Sequence, residues 1–333
     1  MPDLNLSLAV AEYDHVRDIA TGAVRAAGIN ITTVHGAVED ILIRAHWYNE
    51  WDVAETGLGA YVSRLARGEQ PVVAIPVFTS RVFRHSSIYV RTDAGIKSPA
   101  DLNGKRIGMP EWGMAAAVYA RGMLMDQYGF DLKSVKWFQG GLHEPGRKDR
   151  MPPRPGFGLN YTNVTDRSLN DMLVAGDIDV LISARAPNAM MKGDPRVRYL
   201  FGDMREDMRA EELKYWKQTG IYPIMHFIAI RRDVYEKNRW VAVQLQKAFD
   251  EAKNRSLVRA RDITASYFPV PLLNYTVQDA RSVAGDDFWP YGVEQNRVTL
   301  DAFLRYADEQ GVSERRVTLE EMFAPECYFA TKT

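Results

Sequence analysis

The first 80 residues repeat one unit, in which a short apolar strand is followed by a helix. Leu4–Val10 alternates apolar and polar residues and predicts the first strand. Later strands are predicted at 29–34, 51–57 and 72–77, and helices at 18–27, 38–45 and 58–65. Strands that alternate with helices usually pair in parallel, so the pattern predicts an α/β fold built on a largely parallel sheet.

The segment at 104–128 has the features of a turn that binds an anion. Lys105–Met109 predicts a buried strand, Pro110 ends it, and Gly113 opens a helix with an apolar face. The N-terminus of a helix presents free backbone N–H groups and the positive end of the helix dipole, which suits a carboxylate. Because most strand–helix turns bind nothing, a purely structural role is the alternative interpretation.

Length and charge narrow the class of protein. A chain of 333 residues can hold two lobes or one large α/β domain. Its net charge of −1 argues against binding to nucleic acid or to an acidic membrane, and no apolar run is long enough to span a bilayer. No signal peptide is visible, and the single cysteine, Cys327, excludes an internal disulfide. These features predict a soluble, cytoplasmic protein.

Polar residues follow the predicted strands at the ends where ligands collect in a parallel sheet. The set is rich in cationic and imidazole groups, which predicts an anionic ligand with a titrating group nearby. Its strand-end members are His15, Arg17, Glu55, Thr56, Gly57, Glu111, Trp112, Gly113, Glu144, Arg147 and Arg185, and the predicted strands at 84–91 and 222–230 themselves contribute Arg84, His85 and His226.

The order of elements resembles the type II periplasmic-binding-protein fold over nearly the whole chain. The crossover strand Ser86–Arg91 and the run Pro99–Gly108 (PADLNGKRIG) carry the resemblance. It implies two α/β lobes joined by two crossover strands, with the ligand in the cleft between them. Lobe one would comprise 1–95 plus 225–333 and lobe two 96–224. The segment 142–167, rich in Pro, Gly and Arg, would be a possible lid.

Three shorter motifs are similar to those of the 4,5-dihydroxyphthalate decarboxylase family. They are Trp137–Arg147 (WFQGGLHEPGR), Gly220–His226 (GIYPIMH) and Trp289–Arg297 (WPYGVEQNR). The resemblance implies a cytoplasmic enzyme of phthalate breakdown that converts 4,5-dihydroxyphthalate to protocatechuate and carbon dioxide. Such a reaction needs no cofactor, and the expected partner is a small aromatic carboxylate.

A substrate of this kind assigns roles to the candidate residues. Arginine binds a carboxylate in a bidentate fork, so Arg185 is the first candidate, followed by Arg17, Arg84 and Arg147. Histidine titrates near working pH, which makes His15, His85 and His226 the candidate acids or bases, with Glu111 as a partner. Apolar walls would come from Trp112 and Trp289, and the predicted binding set is completed by Glu55, Thr56 and Gly113. A salt-bridged arginine or a core histidine is the alternative in each case.

Several functions and features stay open at this stage. A metal site formed by His15, His85 and His226 with Glu55 or Glu111 is a lesser alternative, because no HxH or HExxH spacing supports it. We therefore predict neither metal nor cofactor. The alternatives to a decarboxylase are a binding protein for an aromatic acid or similar anion, and a related biosynthetic enzyme. A homo-oligomer is compatible with all three functions.

Overall fold

A computed structural model describes residues 3–328 of the protein, which form two mixed β-sheets surrounded by helices. The strands are β1 Leu4–Ala9, β2 Ile29–Val34, β3 Val53–Gly57, β4 Val72–Arg81, β5 Ile88–Arg91, β6 Arg106–Met109, β7 Lys136–Gln139, β8 Asn160–Asn163, β9 Val180–Ile182, β10 Val197–Tyr199 and β11 Ile224–Arg231. The helices are α1 Asp14–Ala20, α2 Val38–Tyr48, α3 Leu58–Ala66, α4 Ala115–Tyr128, α5 Leu169–Ala175, α6 Asn188–Met191, α7 Asp207–Thr219, α8 Arg232–Lys237, α9 Trp240–Arg261, α10 Leu273–Ala284, α11 Arg297–Glu309 and α12 Leu319–Met322.

The first sheet has the strand order β2-β1-β3-β11-β4. Strands β1, β2 and β3 pair in parallel, as the repeated strand–helix units predict. Strand β11 comes from much later in the chain, and it lies antiparallel to both neighbours, β3 and β4. Strand β11, which follows all the strands of the second sheet in the chain, therefore lies inside the first sheet, between β3 and β4.

The second sheet has the order β10-β5-β9-β6-β7-β8. Strands β6, β7, β8 and β9 pair in parallel, whereas β5 is antiparallel to both β9 and β10. The connection after β4 carries the chain from the first sheet into β5, and β11 returns it after α7. These two crossings and the two sheets confirm the predicted two-lobed fold of the binding-protein type. The exact lobe boundaries, 1–95 plus 225–333 and 96–224, stay a prediction.

Helix α11 adds a third connection between the lobes. Before it, the Gly292 N–H donates to Pro76 O at 2.9 Å, and after it, the Ala324 N–H donates to Ala74 O at 2.9 Å, so both flanks are fixed to strand β4. The helix itself packs on α4 of the second lobe, where the Tyr119 hydroxyl donates to Thr299 O at 3.2 Å. We call this segment, residues 292–324, the C-terminal strap.

The middle of the strap takes part in a buried polar network. Gln310, which follows α11, accepts a hydrogen bond on Oε1 from Arg121 Nε at 2.8 Å and one on its carbonyl from Trp112 Nε1 at 2.8 Å. Its own amide donates to Val118 O at 2.9 Å. The four residues of this network are all fully buried. The last part of the chain thus satisfies polar groups inside the second lobe.

The local predictions were less accurate at two places. The helix predicted at 18–27 is displaced, because α1 begins at Asp14, whose carboxylate suits the first turn of a helix, and ends at Ala20. Part of the irregular segment predicted at 142–167 forms strand β8, which pairs with β7 at the sheet edge. Within residues 3–328, no helix has both the length and the apolar character needed to cross a bilayer.

Candidate active site

Glu55, near the end of β3, is the centre of a buried hydrogen-bond cluster. Its side chain is fully buried. One carboxylate oxygen, Oε2, accepts from the Ala11 N–H at 3.1 Å. The other, Oε1, accepts from the Tyr13 hydroxyl at 2.7 Å and the Thr79 hydroxyl at 3.2 Å, and it lies 2.8 Å from His226 Nδ1. Strands β4 and β11 and the segment between β1 and α1 therefore converge on one carboxylate of β3.

The sheet topology explains why Glu55 and His226 meet. Strand β11 lies between β3 and β4, so His226 sits opposite Gly57 on one side and Ser80 on the other. Side chains two residues apart in a strand share one face, which brings His226 to the face that also carries Glu55. The pairing of β11 with β4 is irregular on both sides of His226, as expected where a bulge redirects a side chain.

The electrostatics of the pair favour an ionised carboxylate. Burial of Glu55 opposes its ionisation, but hydrogen bonds from His226 and Tyr13 outweigh burial and lower the pKa of Glu55 below its usual range. The imidazole of His226 keeps 18% of its surface exposed, whereas Glu55 has none. With Nδ1 held by Glu55, the other ring nitrogen, Nε2, is available on the open side. A carboxylate-oriented histidine of this kind can transfer a proton at Nε2.

An aromatic wall lies beside this pair. His15 stacks on Tyr13 with ring centroids 5.2 Å apart and contacts Trp289 at the same centroid distance. Trp289 is fixed by a hydrogen bond from its Nε1 to Phe78 O at 2.9 Å. Burial lowers the pKa of His15 to about 4, which keeps its ring neutral at working pH. The Nε2 atom of His15 is buried without a hydrogen-bond partner among residues 3–328, so it can accept a hydrogen bond from a ligand.

Arg84 supplies a half-buried positive charge at the junction of the lobes. Its Nε donates to Met225 Sδ at 3.2 Å, and its Nη1 lies 3.4 Å from Ser87 Oγ. Met225 precedes His226 in β11, so the two side chains point to opposite faces of the strand. The Ser87 carbonyl accepts from the Ser183 N–H at the end of β9. Arg84 forms no ion pair within the part of the chain that the structure describes, and burial lowers its pKa to about 10. It therefore remains a cation that lacks an anion.

The structure places His85 apart from the cluster. Its ring is 1% exposed and is enclosed by Phe201 and Tyr215, with centroids 4.9 and 5.5 Å away. Burial lowers the pKa of His85 to about 4. A neutral histidine with this little exposure is a packing residue, so we no longer assign His85 a role in proton transfer.

Two predicted arginines already have acidic partners. Arg185, after β9, pairs with Glu39 of α2 at 2.6 Å, and both side chains are more than half exposed. This ion pair joins the two lobes at the surface. Arg17 pairs with Asp14 at 3.2 Å on the outer side of α1 and is 52% exposed. The structure does not bring Arg17 into the cluster, because it sits two residues beyond His15 on a different face of the helix.

The turn after β6 does not have the free groups predicted for it. Glu111 is 3% exposed and accepts hydrogen bonds from Arg147 at 2.9 Å and from Arg150 at 2.8 Å. Its carboxylate is therefore held in an internal ion-pair network and does not act as the predicted partner of a catalytic histidine. The Trp112 N–H donates to Asp149 Oδ2 at 3.0 Å, and the Gly113 N–H donates to Met151 O at 3.1 Å. The chain's own segment 147–151 therefore occupies the position predicted for an external anion.

Trp112 and Gly113 have structural roles instead. The indole of Trp112 is fully buried and stacks against Arg121, with the guanidinium carbon 3.8 Å from the ring centroid. Gly59 of α3 permits the close contact with this turn, because a Cβ on Gly59 would lie 1.9 Å from the Gly113 carbonyl oxygen. A Cβ on Gly113 itself would lie 2.7 Å from Met151 Cβ, so Gly113 leaves room for the segment that covers it. Thr56 is buried in β3, and its hydroxyl lies 3.4 Å from Ala54 O.

Sequence reasoning missed three residues of the cluster. Tyr13, Thr79 and the backbone of Ala11 all bind Glu55, and none was predicted. Tyr13 stands two residues before His15, so the Tyr-x-His spacing was an available signal. Within residues 3–328, no group of three His, Cys, Asp or Glu side chains is arranged to hold a metal ion. The metal-free reaction stays a prediction.

Comparisons with known structures agree with the two-lobed class. The fold is similar to that of the periplasmic aliphatic sulphonate binding protein SsuA from Escherichia coli, with a TM-score of 0.53, 15% identity, and coverage of 99% of this chain and 100% of that one. It is also similar to a variant of the desulfurization enzyme DSZB in complex with biphenyl-2-sulfinic acid, with a TM-score of 0.51, 16% identity and coverage of 98% of both chains. The protein thus has a binding-protein-like fold that is found in transport proteins and in an enzyme.

Sequence comparison identifies the family. A profile described as NMT1/THI5 like matches residues 24–144. The chain is 36% identical over 326 residues to 4,5-dihydroxyphthalate decarboxylase of Comamonas testosteroni, covering 98% of each protein. It is 38% identical over 204 residues to the enzyme of the same name from Pseudomonas putida, covering 61% of this chain and 79% of that one. The chain belongs to the 4,5-dihydroxyphthalate decarboxylase family.

Proposed function

We propose that the protein decarboxylates 4,5-dihydroxyphthalate, or a closely similar hydroxylated aromatic dicarboxylate, to protocatechuate and carbon dioxide. The observation that carries the proposal is the Glu55–His226 pair, in which a buried carboxylate lies 2.8 Å from Nδ1 of a partly exposed imidazole. Family membership supports the same reaction, because both curated relatives bear the name of this decarboxylase.

Arg84 and the aromatic wall would hold the substrate. The guanidinium of Arg84 binds one carboxylate through charge-assisted hydrogen bonds, which fixes the position of the ring. The ring lies against Trp289 and His15, whose neutral Nε2 accepts a hydrogen bond from a ring hydroxyl. This arrangement turns the para hydroxyl toward His226.

The chemistry requires one proton to be taken and one to be given. His226 Nε2 accepts the proton of the hydroxyl para to the departing carboxylate, and electron density moves from that oxygen to the carbon bearing the carboxylate. That carbon takes up a proton, the C–C bond breaks, and its electron pair restores the aromatic ring as carbon dioxide leaves. His226 then returns its proton to the phenolate oxygen. The net reaction consumes one proton from solvent, and Glu55 stabilises the imidazolium in between.

Incubation with 4,5-dihydroxyphthalate tests the proposal, with carbon dioxide release and the ultraviolet spectrum as readouts. Glu55→Gln and His226→Asn should each lower kcat by about 10²–10⁴-fold, the range for loss of a positioned acid or base. Glu50→Gln is the matched control, because Glu50 forms an exposed surface pair with Arg44. Stoichiometric binding without turnover by the wild-type protein would instead support a binding protein.

The cellular location and the oligomeric state belong to the same proposal. We infer a cytoplasmic enzyme that acts on a small aromatic substrate, and cell fractionation of the native host would test the location. A homo-oligomer stays a prediction, which light scattering coupled to size-exclusion chromatography would test.

A further inference from the structure

The Tyr13 hydroxyl makes the shortest of the hydrogen bonds that hold the Glu55 carboxylate. It donates to Glu55 Oε1 at 2.7 Å, whereas the Thr79 hydroxyl donates to the same oxygen at 3.2 Å and the Ala11 N–H to Oε2 at 3.1 Å. Burial and the negative charge of Glu55 raise the pKa of Tyr13, so its hydroxyl keeps the proton that it donates. Oε1 is thus shared between Tyr13 and Nδ1 of His226, which lies 2.8 Å away.

Tyr13 is itself fixed in place at the start of α1. Its carbonyl accepts hydrogen bonds from the N–H groups of Val16 at 3.0 Å and Arg17 at 3.1 Å. The next residue, Asp14, pairs with Arg259 of α9 at 3.0 Å. The hydroxyl therefore belongs to an anchored segment, and it holds the carboxylate that it binds in one orientation.

The orientation of this carboxylate decides which nitrogen of His226 can act as a base. An ionised carboxylate only accepts hydrogen bonds, so the Nδ1 atom that faces Glu55 carries a proton and Nε2 keeps its lone pair. If the carboxylate turned away, Nδ1 would lose its acceptor, and the ring would be free to adopt the other tautomer. In that tautomer Nε2 carries the proton and cannot accept one from a substrate.

We propose that Tyr13 is a positioning residue, which holds Glu55 so that His226 keeps the tautomer with a free lone pair on Nε2. This inference rests on the proposed function, because it takes His226 to be the base. The ring of Tyr13 has a separate contact, the stack on His15 with centroids 5.2 Å apart. Tyr13→Phe retains this ring and removes only the hydroxyl.

The split between kcat and KM tests the proposal. Tyr13→Phe should lower kcat about 10- to 100-fold, the effect of losing one hydrogen bond to a charged group, while KM changes little. In a Glu55→Gln background, where the ionised carboxylate is already absent, Tyr13→Phe should have little further effect on kcat. Thr79→Val removes the longer donor to the same oxygen and should lower kcat to a smaller extent. Tyr235→Phe is the matched control, because the Tyr235 hydroxyl also donates to a carboxylate at 2.7 Å, that of Glu326, and it should keep the wild-type kcat.

Nitrogen-15 NMR of the histidine rings separates this inference from the proposed function. The wild-type spectrum should show the tautomer with a protonated Nδ1 for His226, assigned by the absence of its signals in His226→Asn, and Tyr13→Phe should show a mixture of tautomers. If the wild-type protein shows no turnover, the proposed function fails, and the tautomer still reports whether Tyr13 holds the pair. A wild-type kcat and tautomer in Tyr13→Phe would overturn the role of Tyr13. The same conclusion follows if Tyr13→Phe lowers kcat equally with and without the Glu55 carboxylate, since Tyr13 would then act by another route.

Discussion

At the scale of single residues, the buried arginines Arg81 and Arg121 and the half-buried Arg84 differ in how their charge is satisfied. Arg121 donates to Gln310 Oε1 at 2.8 Å and to Trp112 O at 2.7 Å, and Arg81 donates to Tyr222 O, Pro290 O and Asn296 Oδ1. Arg84 has only a thioether and a hydroxyl at longer range. Carbonyl and amide oxygens can hold a guanidinium permanently, whereas the weak partners of Arg84 leave room for a ligand.

This difference predicts opposite effects of removing Arg84 on activity and on stability. Arg84→Ala should raise KM for 4,5-dihydroxyphthalate by about 10- to 100-fold, because a charge-assisted hydrogen bond to a carboxylate is lost. The melting temperature should stay unchanged or rise, since a half-buried cation without an ion pair is removed. Steady-state kinetics and differential scanning fluorimetry measure the two effects.

Arg84→Lys tests the positive charge of Arg84 separately from the bidentate geometry of its guanidinium. It keeps the positive charge but not the bidentate geometry, so its KM should lie between those of the wild type and Arg84→Ala. A fall in melting temperature with unchanged KM in Arg84→Ala would show instead that Arg84 serves the fold.

The identity of the cluster residues could be predicted from the sequence only in part. Strand-end position found Glu55 and His15, because the ends of parallel strands meet at one edge of a sheet. His226 was found instead in a segment predicted to cross between the lobes. Their partnership could not be predicted, since 171 residues separate Glu55 from His226 in the chain. The ion pairs of Glu111 and Arg185 could not be predicted either, because no sequence motif marks their partners Arg150 and Glu39.

At the scale of elements, the contact between α4 and α11 depends on a residue that helices usually avoid. Gly122 lies in the middle of α4, and a Cβ built there would overlap the ring of Tyr306 from α11. The Tyr306 hydroxyl then donates to Asp126 Oδ2, one turn further along α4, at 2.6 Å. Glycine costs helical stability at this position but allows the two axes to approach closely.

Gly122→Ala should therefore destabilise the protein although alanine is the better helix former. Propensity favours alanine by about 1 kcal/mol, whereas overlap with a buried ring costs roughly 1–3 kcal/mol, so we expect a net loss of up to about 2 kcal/mol. Urea denaturation would measure it. The double variant Gly122→Ala/Tyr306→Leu should lose less than the sum of the single variants. Strict additivity would show that the ring is not the obstacle.

The strand–helix units illustrate what local sequence can predict about elements. Apolar periodicity placed β1, β2 and α3 within a few residues, because this feature acts through neighbours in the chain. The turn at Gly113 has the local pattern of an anion site, yet Asp149 and Met151 O fill it from 36 or more residues away. A local pattern cannot reveal a distant segment that satisfies the same groups.

At the scale of the whole molecule, the C-terminal strap makes the two lobes depend on each other. The second lobe contains Arg121 and Trp112, whose polar groups are satisfied by Gln310 from the strap. Without the strap, a buried guanidinium would lose one of its main acceptors, which costs several kcal/mol. The second lobe alone is therefore an incomplete folding unit.

Two measurements follow from this dependence. The fragment 96–224, expressed alone, should lack a near-ultraviolet circular dichroism signal, and the full chain should unfold in one calorimetric transition. Two resolved transitions, or a folded fragment, would mean that each lobe is stable by itself and that the strap adds little. The far-ultraviolet spectrum of the same fragment serves as the control for residual secondary structure.

The position of the strap also bears on how the protein is made. Translation adds the strap, residues 292–324, well after β11, which ends at Arg231 and follows all the strands of the second sheet. Until then the nascent second lobe has an arginine and an indole without their acceptors, and a groove on α4 where Tyr306 will insert. Completion of this lobe must wait until the strap has been synthesised, and a chaperone that shields the open face of α4 would act in that interval.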